Sequence, residues 1–156
     1  FAKMPKAHNE KFNLVNKIRE IIDLYDYTGE SEFITSFNGC ESVVVHADKE
    51  QFSRAMINLI RNAIQSIPEH KKGVIKIEIE KNTTFAIVKV TDNGKGIPEN
   101  LRDSIFMPNF TTKSSGAGLG LAITKNIVEN FKGEIWFTSE IEKGSTFFIS
   151  IPINED

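Results

Sequence analysis

The chain has 156 residues, enough for one domain with a substantial core. A formal charge of -2, with no dense Lys/Arg block, leaves no electrostatic footprint for nucleic acid. One cysteine, Cys40, excludes an internal disulfide and a multi-cysteine zinc site, and points to a reducing compartment. No apolar run approaches the ~20 residues that span a bilayer. Nothing at the start resembles a signal peptide, and no direct membrane contact is expected of this domain. The first residue is Phe1 rather than Met, so the chain reads as a piece of a longer protein, with room elsewhere for a membrane anchor.

In chain order, residues 1–12 (FAKMPKAHNEKF) are polar and aperiodic. They read as a linker or the tail of an upstream element, with the domain proper at 13–156. NLVNKIREIIDLYDY then sets Leu14, Ile18, Ile21, Ile22 and Tyr25 at helical spacing behind Asn13 as N-cap, with Gly29 as a stop. EFITSFN and SVVVHA, either side of Asn38-Gly39, predict a strand pair. Over 49–67, Phe52, Ala55, Met56, Leu59, Ala63, Ile64 and Ile67 form one apolar helical stripe, capped by Asp48 and closed by Pro68 and Gly73. VIKIEIE alternates like a half-buried strand, and TFAIVKVTD after Asn82 completes a hairpin that ends at Asp92.

Residues 93–117 are glycine-rich and without period, and a loop of that length in a compact domain is functional or disordered. A helix is expected over 119–131, with Leu119, Ala122, Ile123 and Ile127 on one face. Gly133 introduces the strand EIWFTSE, and Gly144 separates it from STFFISIPI, which alternates Phe147, Ile149 and Ile151. The fold class is α/β: a two-layer sandwich with a mixed, mostly antiparallel sheet on one layer of helices.

Four features break the structural pattern. Asn58 and Asn62 lie one turn apart in a helix although asparagine is a mediocre helix former, and alone they read as solvated surface. Asp92-Asn93-Gly94-Lys95-Gly96 looks like a hairpin turn, yet no partner strand follows it. Thr111-Thr112-Lys113 is unremarkable by itself. Gly116, Gly118 and Gly120 run into a helix start, whose free N–H groups and positive dipole end suit a phosphate. Their G-x-G-x-G spacing is not the dinucleotide fingerprint, no P-loop occurs, and the catalytic-loop motifs of protein kinases are missing.

Taken in order, NLIRNA, DNGKGIP, IFMPNFTTK and GAGLGLAI resemble the N, G1, F and G2 boxes of the ATP-binding catalytic domain of bacterial sensor histidine kinases. The resemblance runs over residues 13–153, and FAKMP with NLIRNAIQSI looks most like the nitrogen-sensing branch. It implies a Bergerat-type ATP-binding fold with ATP and Mg²⁺ as cofactors. Asp92 would accept a hydrogen bond from the adenine amino group. Gly94 and Gly96, followed by Ile97, would let the backbone bend beneath the base. Asn62 would ligate Mg²⁺, and Asn58 would stand beside it where related ATPases place a glutamate base. Catalysis would then be transfer by Asn58, Asn62 and Lys113 rather than efficient hydrolysis.

By the same resemblance, Phe106 and Phe110 match the F box, although either reads equally well as a core aromatic. Thr111, Thr112 and Lys113 match the lid leading to the γ-phosphate. Gly116, Gly118, Leu119 and Gly120 match the box that wraps the triphosphate, and Thr146 matches a threonine near the adenine pocket. Gln65 and Ser66 depart from the basic residue and tyrosine common after the second asparagine. His8, His46 and His70 do not match a phosphoacceptor box, so the acceptor is expected on an upstream dimerisation domain. The implied partners are that domain, in a full-length homodimer, and a response regulator. The implied place is a cytoplasmic domain, whether or not the full-length kinase is membrane-anchored. An anti-sigma-factor-type serine kinase and a non-catalytic nucleotide-binding scaffold are the alternatives. FAKMP favours the histidine kinase, because anti-sigma kinases lack an upstream dimerisation helix.

Overall fold

The computed structural model describes residues 6–26, 29, 31–108 and 120–153. The elements are β1 (Asn9–Asn13), α1 (Leu14–Asp26), β2 (Ser31–Ser36), β3 (Val44–Asp48), α2 (Lys49–Gln65), β4 (Gly73–Lys81) and β5 (Phe85–Asp92). A 3-10 turn (Glu99–Leu101), α3 (Gly120–Asn130), β6 (Ile135–Glu140) and β7 (Gly144–Pro152) follow. Both predicted caps form. Asn13 Oδ1 accepts from the backbone N–H of Val15 and Asn16, and Asp48 Oδ1 from those of Glu50 and Gln51.

Five strands in the order β2-β4-β5-β7-β6 make one sheet, in which only β2 and β4 run parallel. Alternation sorts its residues by face. Ile75, Ile77 and Ile79 of β4, Ala86, Val88 and Val90 of β5, and Phe147, Ile149 and Ile151 of β7 are buried. They form one core with Leu14, Ile18 and Ile21 of α1, Phe52, Met56, Leu59 and Ile60 of α2, and Val128 of α3. This is the expected two-layer sandwich. The hairpin of β4 and β5 also forms, and Asn82 Oδ1 caps its turn by accepting from Thr84 and Phe85 N–H.

Two expectations need correction. The segments EFITSFN and SVVVHA do not pair with each other: β2 joins β4, while β3 pairs antiparallel with β1. Asn38 and Gly39 do take positive φ, 49° and 77°, as a tight turn requires. The Asn38 side chain, however, donates to the Ile79 carbonyl at the end of β4 and fastens the turn to another strand. Second, residues 9–12, read as linker, belong to β1. The pattern there gave no sign of a strand, because Asn9, Glu10 and Lys11 are exposed and only Phe12 is buried, against Phe52 of α2.

Candidate nucleotide site

Asn58, Asn62 and Ser66 stand at successive i, i+4 positions along one line of α2, so they share a face of the helix. The two ends of the line meet different walls. At the far end Ser66, the C-cap residue, accepts from Lys95 N–H through its carbonyl and so holds the loop after β5. At the near end the Asn58 amide nitrogen donates to the Gly120 carbonyl and to Thr124 Oγ1, 3.3 Å each, and so meets the first turn of α3. Asn62 lies midway. It is half-buried, and its side-chain amide makes no hydrogen bond among the described residues.

The loop wall is built around Asp92, which closes β5 on the core side of the sheet and is 5% exposed. Its Oδ1 accepts from Gly94 N–H at 2.9 Å and Ser145 N–H at 3.2 Å, which fixes the carboxylate between the loop and β7. A Cβ on Gly94 would strike the Oγ and carbonyl of Ser66, and Gly96 has φ 77° with the Glu140 carbonyl where a Cβ would go. Protein, not an open base-binding surface, thus fills both Cβ positions. Ile97 N–H donates to Ser139 Oγ, and Arg102 spans the loop exit by donating to the carbonyls of Ile97 and Ser139.

Thr146 does not point towards Asp92. Its hydroxyl meets that of Thr91 at 3.0 Å, and Thr91, next to Asp92 on β5, faces the other side of the sheet. The β7 residue on the Asp92 side is Ser145, buried and hydrogen-bonded to Ser139 at 2.8 Å. The sequence held this signal: Phe147, Ile149 and Ile151 define the core parity of β7, and Ser145 shares it whereas Thr146 does not. Ser139, Arg102 and Thr124 carried no such signal.

At the other wall Thr124, fully buried, donates from Oγ1 to the Gly120 carbonyl at 2.7 Å. Gly120 is exposed, and a Cβ there would meet nothing within 4 Å among the described residues. Phe106 packs edge-on against Phe137 and Phe147, with Lys125 of α3 over its ring, so it is an anchor of the aromatic core beneath this wall. Phe110, Thr111, Thr112, Lys113, Gly116, Gly118 and Leu119 lie outside the described residues.

This arrangement has relatives. The profile of the histidine kinase-, DNA gyrase B- and HSP90-like ATPases matches residues 47–155. The chain belongs to that family. Membership makes ATP the ligand of the domain. Among curated proteins it is 44% identical over 110 residues to the sensor histidine kinase ZraS of Escherichia coli K12, covering 70% of this chain and 23% of ZraS. It is 38% identical over 148 residues to sporulation kinase A of Bacillus subtilis 168, covering 94% of this chain and 24% of that kinase. The chain therefore spans about a quarter of the length of these relatives. Among solved structures it superposes on the nucleotide-free catalytic domain of histidine kinase ThkA with a TM-score of 0.83 at 36% identity, covering 93% of this chain and 95% of that one. ThkA in complex with the response regulator TrrA gives 0.80 at 34% identity, over 95% of this chain and 42% of that one.

Proposed function

We propose that this chain is the catalytic ATP-binding domain of a sensor histidine kinase, which binds Mg-ATP and delivers the γ-phosphate to a histidine on a separate dimerisation domain. The observation that carries this reading is the Asn58–Asn62–Ser66 line. Its two ends, eight steps of the helix apart, are separated by about 12 Å along the axis. One end meets the loop that holds Asp92, and the other meets the first turn of α3. Asp92 reads the adenine amino group. A buried hydrogen bond to a charged acceptor is worth roughly 1.5–3 kcal/mol, and guanine would present a carbonyl to the same carboxylate. Asn62 suits Mg²⁺, because a half-buried carboxamide with no hydrogen-bond partner among the described residues would supply one oxygen ligand.

Gly120 supports the phosphate end. Gly94 and Gly96 are explained by protein neighbours, whereas none among the described residues requires a glycine at 120. Close approach of a ligand would. Lys113 would neutralise charge on the transferred group, with Thr111, Thr112, Gly116, Gly118 and Leu119 completing the wrap over the triphosphate. With Asn58 where a base would be needed to activate water, transfer is favoured over hydrolysis. The similarity to ThkA, solved with TrrA, supports a response regulator as the downstream partner.

The test mixes this chain with labelled ATP, Mg²⁺ and the histidine-bearing dimerisation domain of the same parent protein. Label on the histidine is expected. ATP binding without label transfer would favour a scaffold role instead.

A further inference from the structure

We propose that Thr124 is a positioning residue that locks the Asn58 carboxamide, nitrogen against α3 and oxygen towards the phosphates; this rests on the reading of the site just given. Two acceptors face the Asn58 nitrogen. The Gly120 carbonyl can only accept. Thr124 Oγ1 gives its proton to that same carbonyl at 2.7 Å, so it offers Asn58 a lone pair. A flipped amide would set its oxygen against the Gly120 carbonyl, and could accept from Thr124 only by taking the hydroxyl proton away from that carbonyl. Thr124 is 0% exposed, which shields its hydroxyl, while the Asn58–Gly120 bond lies at the surface.

The consequence lies on the other side of the amide. The two acceptors lie 2.7 Å apart and each 3.3 Å from Nδ2, so one N–H shared between them turns the nitrogen to α3 and Oδ1 away from it, and that oxygen has no partner among the described residues. An acceptor in this place repels a bare phosphate oxygen and accepts a hydrogen bond from metal-bound water. The clamp therefore tunes the site to the metal complex of ATP against free ATP. It also joins α2 to the first turn of α3, so the two walls keep their spacing.

The experiment uses this chain, Thr124→Val, which keeps the branched shape and loses both hydrogen bonds, and Thr124→Ser, which keeps the hydroxyl. Without nucleotide, the Asn58 side-chain amide protons are followed by NMR. Exchange of the bonded proton slower than an exposed asparagine's is expected in the starting protein and in Thr124→Ser, and faster exchange in Thr124→Val. Affinity is then measured for ATP with Mg²⁺ and with EDTA. In Thr124→Val the preference for the metal complex is expected to fall by about three- to tenfold, the range one net hydrogen bond provides, and to return in Thr124→Ser.

Amide protons of the starting protein that exchange as fast as an exposed asparagine's overturn the proposal, even if Thr124→Val fails to fold. So does an unchanged metal preference in a folded Thr124→Val. Failure of the starting protein to bind ATP at all would instead sink the functional reading, and the amide measurement would still decide the role of Thr124.

Discussion

Glycines 94 and 120 sit in two nucleotide-associated motifs for different physical reasons, and substitution separates them. At position 94 a Cβ would lie 2.6 Å from the Ser66 carbonyl oxygen, which belongs to the backbone and cannot swing aside. Gly94→Ala should destabilise the chain by about 1–3 kcal/mol, the usual cost of overpacking, measured as a lower urea midpoint. Gly120→Ala meets no neighbour among the described residues and lies in a helix, where alanine stabilises by roughly 0.4–1 kcal/mol through the unfolded chain. Its stability should hold or rise while ATP affinity falls. If both variants lose stability alike, the distinction between packing and ligand approach is void. The same scale decides between neighbours on β7. Ser145→Val should weaken ATP binding, because residue 145 lies against Asp92, whereas Thr146→Val should leave affinity intact and cost about 1 kcal/mol or less from one cross-strand pair.

One level up, the elements stand where their ends are tied. Asp48 caps α2, which carries both asparagines, and its second oxygen accepts from His8 N–H at 2.9 Å, pinning the chain just before β1. Burial alone would raise its pKa, but the N–H donors of His8, Gln51 and Glu50 outweigh that and hold it below the ordinary carboxylate value. A depressed folded pKa gives stability that is fully present above the unfolded value, about 3.9, and is lost as pH falls through the lower folded one. Asp48→Ala should therefore cost about 0.5–2 kcal/mol at neutral pH. Its deficit should shrink below about pH 4. Urea midpoints of both proteins from pH 7 to 3 check this, and a deficit independent of pH would deny the carboxylate its role.

That cap was legible because an N-cap is a local event, set by a side chain two or three residues from the N–H groups it accepts. The helical stripe of α2 and the alternation of β4, β5 and β7 are local too, and all were readable. Strand partners are not local. Nothing within SVVVHA says that it will pair with β1 across 30-odd positions rather than with β2 nearby, and the polar residues of β1 hide it altogether. The site divides the same way. The place of Asp92 at the end of β5 was legible from the strand it closes, and that of Ser145 from strand parity. Ser139, Arg102 and Thr124 act through contacts between distant segments that no single stretch of sequence displays.

At the scale of the molecule, the site is where the loop after β5, the middle of α2 and the start of α3 converge, and no one of them is complete without the others. Ligand binding should therefore stabilise the whole domain and not one element. A ligand at 100 times its Kd adds about 2.7 kcal/mol to a folded state that alone binds it. For a chain of this length each kcal/mol moves Tm by roughly 2–4 °C, so saturating Mg-ATP should raise Tm by about 5–11 °C. GTP should give little shift, because its carbonyl faces the Asp92 carboxylate. Asp92→Asn keeps an acceptor for Gly94 and Ser145 N–H but loses the charge that reads the adenine amino group, so it should stay folded and lose most of the ATP-dependent rise. Thermal melts of both proteins with ATP, GTP or neither give six curves. An equal rise with the two nucleotides, or an undiminished rise in Asp92→Asn, would remove Asp92 as the group that selects the purine and leave the α3 end of the site as the source of affinity.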